Sequence, residues 1–294
     1  MVRKRNNTLK KSILKAACFA YCLIPKKLFL SSGRLENFVS NFYDRFNSKL
    51  DNSIRVLNYG HSELVSEVNE ETLKQEPDFL RLNLYRNAIK RTDLSGKRVL
   101  EVGSGRGGGA SFIARTCGVK EYIGIDLCPS SVEDCNRYYA GVDHLSFRIG
   151  NAEDIPFEDD SFDVVINIES SHNYKNCTQF FAEVSRVLKP GGTFVYADFR
   201  RRWQILDVYK QLSAAGLQIH EEELINLNVV KSLQEELGLK TLLMRKNKGN
   251  VLSRWVTNAM AGNSFTITKF EQGFNLYYSF VLVNNATTAN ETGQ

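Results

Sequence analysis

Val99-Leu100-Glu101-Val102-Gly103-Ser104-Gly105-Arg106-Gly107-Gly108-Gly109 sets a short apolar run directly before five glycines in seven positions. Such a run predicts a strand that turns sharply into a helix. Glycine admits positive φ and leaves no Cβ in the way of a ligand, and the helix opens with unpaired N–H groups. Five glycines also cost backbone entropy that a plain turn has no need to spend. Gly103, Gly105 and Gly108 satisfy the dinucleotide spacing, so the loop by itself suits NAD as well as a smaller nucleoside cofactor.

Outward from this loop, short runs rich in β-branched residues alternate with segments of helical period, the pattern of βαβ units and a parallel sheet. Strands are predicted at Arg98–Val102, Glu121–Ile125, Leu145–Ile149, Phe162–Ile168 and Gly192–Ala197, with helices at Gly108–Cys117, Ser130–Tyr139 and Cys177–Val187. Further on, Gln204–Ala215 reads as a helix, and Leu217–Ile225 and Tyr277–Asn284 read as strands. The expected fold class is α/β: a doubly wound, seven-stranded, mostly parallel Rossmann-like sheet. Residues 93–285 make up this domain. The stretch about 226–272, between its last two strands, is expected to be an inserted lid. Residues 35–92 are expected to form a helical cap, and the polar tail 286–294 to be disordered.

Charges at the strand ends narrow the ligand. Glu101, at the end of the first strand, suits a ligand carrying an ammonium and a sulfonium and repels a pyrophosphate, which favours S-adenosylmethionine (SAM) over NAD. Asp126 ends the second strand, 23 residues past Gly103, where an acidic side chain can accept both hydroxyls of a ribose. Gly150-Asn151-Ala152-Glu153-Asp154-Ile155-Pro156-Phe157 follows the third strand, at the crevice edge where an adenine ring would rest.

These blocks, in this order over roughly residues 95–200, resemble the class I SAM-dependent methyltransferases. The resemblance implies SAM as cofactor, with Gly103 and Gly105 along its methionine part, Asp126 at the ribose, Ala152 and Glu153 flanking the adenine, and Ile168 beside the methionine. Ser104, Leu127 and Asn151 join the same cofactor-binding set, and Tyr43 and Tyr59 are the cap aromatics expected to close over cofactor or acceptor. A narrower likeness runs through Gly103–Ser111, Asn167–Tyr174 and Tyr196–Arg200, which look like the phthiotriol and phenolphthiotriol dimycocerosate methyltransferases, O-methylating enzymes of long-chain lipids.

Methyl transfer from a sulfonium is an in-line displacement that needs alignment and exclusion of water, with a base only for a weak nucleophile such as a hydroxyl. His172, four residues past Ile168, is the expected proton acceptor, and Glu169 its orienter or a substrate contact. Tyr174, Asp198, Phe199 and Arg200 are candidates for the acceptor side. The acceptor is expected to be small and lipophilic, most readily a hydroxyl of a lipid or polyketide-like molecule. Carbon or nitrogen of an isoprenoid, sterol or amine is the alternative, and an NAD-dependent oxidoreductase the alternative of another class. Nucleic acid is not an expected partner. Asn167-Ile168-Glu169-Ser170 stands where base methyltransferases carry a Pro-Pro-aromatic run for a flipped base.

The formal net charge of +5 misleads, because residues 1–34 hold nine Lys or Arg and no acid, leaving 29 basic against 33 acidic residues elsewhere. The body is mildly acidic and offers little to a phosphate backbone. The apolar run Ile13 to Ile24 inside the basic arm is too short to cross a bilayer. A secretory signal is set aside because no small-residue cleavage site follows. Two readings of residues 1–30 stay open: a helix lying on an anionic membrane surface, or an amphipathic helix on the protein's own core. The expected location is the cytoplasm, with or without that peripheral contact. The six cysteines form no C-x-x-C pair and, with four histidines, give no zinc spacing, so no metal is predicted.

Overall fold

The computed structural model describes residues 54–63, 78–246 and 264–285, all within one compact unit, Phe46–Gln294. The expected arm 1–34, Tyr43, much of the cap, the middle of the insertion and the tail 286–294 lie outside the described residues. Seven strands form one sheet: β1 (Arg98–Val102), β2 (Glu121–Asp126), β3 (Leu145–Ile149), β4 (Phe162–Ile168), β5 (Leu188–Arg201), β6 (Leu217–Leu224) and β7 (Asn275–Asn284). Their order is β3-β2-β1-β4-β5-β7-β6, with β7 antiparallel to both neighbours. The helices are α1 (Phe79–Ile89), α2 (Gly108–Thr116), α3 (Pro129–Tyr138), α4 (Cys177–Val187), α5 (Ile205–Ala214), α6 (Asn226–Lys246) and α7 (Ser264–Glu271).

Period-two alternation along the strands feeds two apolar layers. Val99, Val164 and Ile166 meet Leu84 of α1, Ile113 of α2, Val132 of α3, Val229 of α6 and Phe270 of α7 on one face. Leu100, Val102 and Val165 meet Phe180 and Val184 of α4 and Leu212 of α5 on the other. The chain winds from β1 outward through β2 to β3, then returns to place β4 on the opposite side of β1. That reversal opens a crevice above the carboxyl ends of β1 and β4, the position where open α/β sheets hold ligands.

One strand departs far from its expected limits. β5 is longer than the predicted Gly192–Ala197, running from Leu188 to Arg201. Its last pair with β4 is Ile168↔Ala197, and Asp198 to Arg201 pair only with β7, which carries them above the rim. The charged segment reads as loop in sequence because the partner that makes it a strand lies about 80 residues onward. In the cap region, residues 54–63 are irregular, around the loop expected at Asn58-Tyr59-Gly60-His61, and α1 spans Phe79–Ile89. The described ends of the inserted stretch are α6 and α7, whose Val229, Leu233, Ile267 and Phe270 are buried in the sheet's own core. Among the described residues, no helix is long and apolar enough to cross a membrane, and no cluster of His, Cys, Asp or Glu is arranged to hold a metal.

Candidate functional site

The glycine loop is held from below by β2: the N–H groups of Gly103 and Ser104 both donate to the Ile125 carbonyl, at 2.8 and 3.0 Å. Its glycines serve different ends. Gly105 sits at φ +55 and a Cβ there would meet nothing within 4 Å, so this part of the loop faces open space. A Cβ at Gly109 would instead overlap the ring of Tyr85, which crosses the start of α2. Close approach at Gly109 is thus made by the protein's own tyrosine, a demand the loop's sequence does not reveal.

Asp126 stands at the end of β2 beside the open turn, its two carboxylate oxygens accepting from Gly105 N–H and Cys128 N–H, both at 2.9 Å. Burial raises its pKa, and the two N–H donors work against that rise. Beyond β3, Asn151 Oδ1 accepts from Glu153 N–H at 3.0 Å. Glu153 in turn accepts from Lys175 and Asn176 N–H at 2.7 and 3.0 Å, so its carboxylate ties this loop to the entry of α4. Leu127 is exposed at the crevice edge, while Ala152 and Ile168 are buried.

Glu101 departs from expectation. It shares the face of Val99, is 1% exposed, and accepts from the hydroxyls of Tyr85 and Tyr122 at 2.7 and 2.9 Å. Burial lifts its carboxyl to about 7 despite both hydrogen bonds. Its charge is met from within the fold, and neither tyrosine carries a mark in the sequence that would pair it with Glu101.

Tyr174 also differs from the acceptor-side expectation. Its hydroxyl lies 2.9 Å from Ser170 Oγ and 3.1 Å from Asn167 Nδ2, against the glycine loop, where a Cβ on Gly103 would overlap Ser170 and Tyr174. Asn167 donates to the Val102 carbonyl at 2.8 Å, and its own Oδ1 is buried with no hydrogen-bond partner. Sequence reasoning did not single out Asn167 or Ser170 as binding residues.

Across the rim, His172 Nδ1 lies 2.8 Å from Asp198 Oδ1, and His172 N–H donates to Asp198 Oδ2 at 2.9 Å. Ser171 Oγ donates to the same Oδ2 at 2.6 Å, and Arg200 Nη1 stands 3.1 Å away. Burial by itself would raise the Asp198 carboxyl. The charges of His172 and Arg200, with the hydrogen bonds from His172 and Ser171, outweigh it and hold the group well below the usual carboxylate range. The His172 ring also lies against Phe199, centroids 4.4 Å apart. Nδ1–H facing the carboxylate leaves Nε2 as the basic nitrogen, and Asn173 Nδ2 lies 2.9 Å from it.

The expected orienter of His172, Glu169, is a correction: the carboxylate on the imidazole belongs to Asp198. Glu169 adopts φ +48 just past β4, and its Oε2 accepts from Tyr59 N–H at 2.9 Å and the Tyr277 hydroxyl at 3.0 Å. It thereby ties the 54–63 loop and β7 to the rim. Burial raises it to about 8, with the nearby Asp198 charge adding to the rise and the Tyr59 hydrogen bond opposing it. Tyr59 lies 5.5 Å from Phe199 and 5.8 Å from Phe270, an aromatic wall beside His172. Arg200 is taken up by Asp198 and Ser171, which makes it a buried counter-charge.

The family described as "Methyltransferase domain" matches residues 100–196. The chain is 37% identical over 206 residues to the fatty-acid O-methyltransferase of Mycolicibacterium smegmatis, covering 70% of this chain and 75% of that protein. It is 47% identical over 158 residues to a Mycobacterium ulcerans protein named "Probable phthiotriol/phenolphthiotriol dimycocerosates methyltransferase 2", covering 54% of this chain and 61% of that protein's length. Geranyl diphosphate C-methyltransferase from Streptomyces coelicolor A3(2), solved with S-adenosyl-L-homocysteine, shares the fold at a TM-score of 0.65 and 16% identity, over 86% of this chain and 100% of that one. With the open glycine turn, the acid at the end of β2 and the rim above β4 in place, the chain belongs to the class I SAM-dependent methyltransferases.

Proposed function

We propose that this chain moves a methyl group from SAM to a hydroxyl oxygen of a lipophilic acceptor. The observation that carries this reading is the His172–Asp198 pair standing on the same rim as the open turn at Gly105 and Asp126. The residues present fit SAM. Gly105 leaves a cradle that any Cβ would narrow, Asp126 offers carboxylate oxygens to ribose hydroxyls, and Asn167 Oδ1 is a spare buried acceptor suited to an ammonium. Leu127, Asn151 and Ala152 edge the space an adenine would fill, with Glu153 holding that loop to α4, and Ser104 and Ile168 line the floor. Bound SAM supplies an electrophilic methyl on a sulfonium.

The chain's own residues supply alignment and the proton's destination. Asp198 holds Nδ1–H, so Nε2 takes the acceptor's hydroxyl proton as the oxygen gains the methyl, the acceptor replacing the Asn173 amide at that nitrogen. Tyr59, Phe199 and Phe270 present apolar rings beside the imidazole, which supports an acceptor with an apolar body and helps to exclude water. The lipid acceptors in the names of both mycobacterial relatives support the same class.

The test is transfer from methyl-labelled SAM into a panel of lipid alcohols and fatty acids, with the labelled position read by mass spectrometry. His172→Ala is expected to lower turnover on an alcohol by about 10²–10⁴-fold with affinity for S-adenosylhomocysteine retained. Unchanged turnover would remove the base, and label appearing only on carbon or nitrogen would remove the hydroxyl acceptor.

A further inference from the structure

Beyond Asp198 and Phe199, β5 ends in Arg201 and passes through a single 3-10 turn, Arg202–Gln204, into α5. This corner carries large apolar side chains turned to solvent: Trp203 is 64% exposed and Leu206 70%. They are three residues apart, Trp203 in the 3-10 turn and Leu206 in the first turn of α5, whose buried residues are Val208 and Leu212. Arg202 N–H donates to the Phe274 carbonyl at 2.9 Å, which brings a third exposed apolar residue, Phe274, to the same corner. Two cations stand in the patch: Arg201, whose guanidinium lies 5.4 Å from the Trp203 ring centre, and Arg202. Neither makes an ion pair among the described residues, and the nearest acid in sequence, Asp198, is buried against His172, Ser171 and Arg200.

Three exposed apolar residues meeting on one corner are more than the scattered surface apolars of an ordinary soluble protein. Tryptophan beside arginine is the pairing that suits a bilayer interface, the ring entering the headgroup boundary while the guanidinium meets lipid phosphate. A second copy is the poorer occupant, because a two-fold contact would set Arg201 and Arg202 of each chain against the same cations of the other. We propose that the corner formed by Trp203, Leu206, Phe274, Arg201 and Arg202 docks on an anionic lipid surface. The same strand that carries Asp198 and Phe199 ends in this corner, so docking presents the acceptor side of the rim to the bilayer. The proposal takes from the preceding section only the lipophilic acceptor.

Full-length protein is mixed with vesicles of phosphatidylcholine alone or with a third phosphatidylglycerol, and bound protein is separated by flotation. Because the arm 1–34 carries its own cations, the comparison is between full chains that differ only at the corner. Trp203→Ala/Leu206→Ala is expected to lower partitioning into anionic vesicles by at least about tenfold. Arg201→Gln/Arg202→Gln is expected to lower it and to flatten its dependence on salt. In a Trp255→Phe background, which leaves Trp203 as the remaining tryptophan, emission should shift to the blue on binding and be quenched by brominated lipid. Partitioning unchanged in both double variants, together with unshifted emission, would overturn the proposal. So would equal binding to neutral vesicles, or a dimer lost in the variants with no vesicle binding. Turnover on a detergent-dispersed acceptor should be the same in Trp203→Ala/Leu206→Ala as in wild type. If docking is found but no lipid hydroxyl is methylated by wild type, the functional reading falls and the docking stands.

Discussion

Asp198 and Glu169 are carboxylates of one rim pushed in opposite directions, and each shift has a measurable consequence. Glu169 is lifted to about 8 from an ordinary 4.5, so between those values the folded chain keeps a proton that the unfolded chain has released. Unfolding free energy contributed by this group is therefore present below about pH 4.5 and lost as pH rises towards 8. Glu169→Gln keeps an acceptor for Tyr59 N–H and cannot ionise. The difference between variant and wild type in urea unfolding should move in the variant's favour from pH 5 to 8, by at most about 1.4 kcal/mol per pH unit. A difference that does not change with pH would mean Glu169 is ordinary. Asp198 answers to the reverse sign: its lowered carboxyl stabilises at neutral pH and loses that contribution on acidification. Asp198→Asn would leave the Arg200 guanidinium buried without its counter-charge, and a loss of about 3–5 kcal/mol in chemical denaturation is expected. Conserved stability in that variant would show that Arg200 finds another partner.

At the scale of elements, two joints hold the rim. Asn226, the first residue of α6, donates to the carbonyls of Phe270 and Asn275 at 3.1 and 2.8 Å and accepts from Tyr277 N–H through Oδ1. One side chain so links the end of α7, the start of β7 and the start of α6. Asn226→Ala would leave the buried Tyr277 N–H without its acceptor and take a donor from the Asn275 carbonyl, while the Phe270 carbonyl keeps Gly273 N–H; it should cost at least about 2 kcal/mol in chemical denaturation, with faster amide exchange at Tyr277. The second joint is α1 against α2, where Tyr85 occupies the space over Gly109. Gly109→Ala is expected to destabilise by about 1–3 kcal/mol, because the ring and the hydroxyl it gives Glu101 must both move. Gly141→Ala, with nothing within 4 Å of the added methyl, is the control.

For the molecule as a whole, the winding of β3-β2-β1-β4-β5-β7-β6 puts the site above the β1–β4 reversal. A ligand that binds only the folded chain must stabilise it by linkage. S-adenosylhomocysteine at one hundred times its dissociation constant should add about 2.7 kcal/mol to unfolding, with no effect from NAD. Equal stabilisation by both would undo the cofactor assignment. How far the chain was readable follows from distance along it. The strands β1, β3 and β4 have the limits their residue patterns predict, since each burial face is written within five to seven consecutive residues. The end of β5 was unreadable for the opposite reason, its polar residues becoming strand only through β7.

Local order along the chain was enough for the parallel sheet, the glycine turn and the acid at the end of β2, because each rests on neighbours a few residues apart. Packing alone settled which carboxylate meets His172, 26 residues away in Asp198, and that Glu169 is met by Tyr59 and Tyr277, 110 and 108 residues away. Partners that distant are chosen by strand pairing and helix docking, and a side chain's identity carries no trace of the neighbour that folding will bring to it.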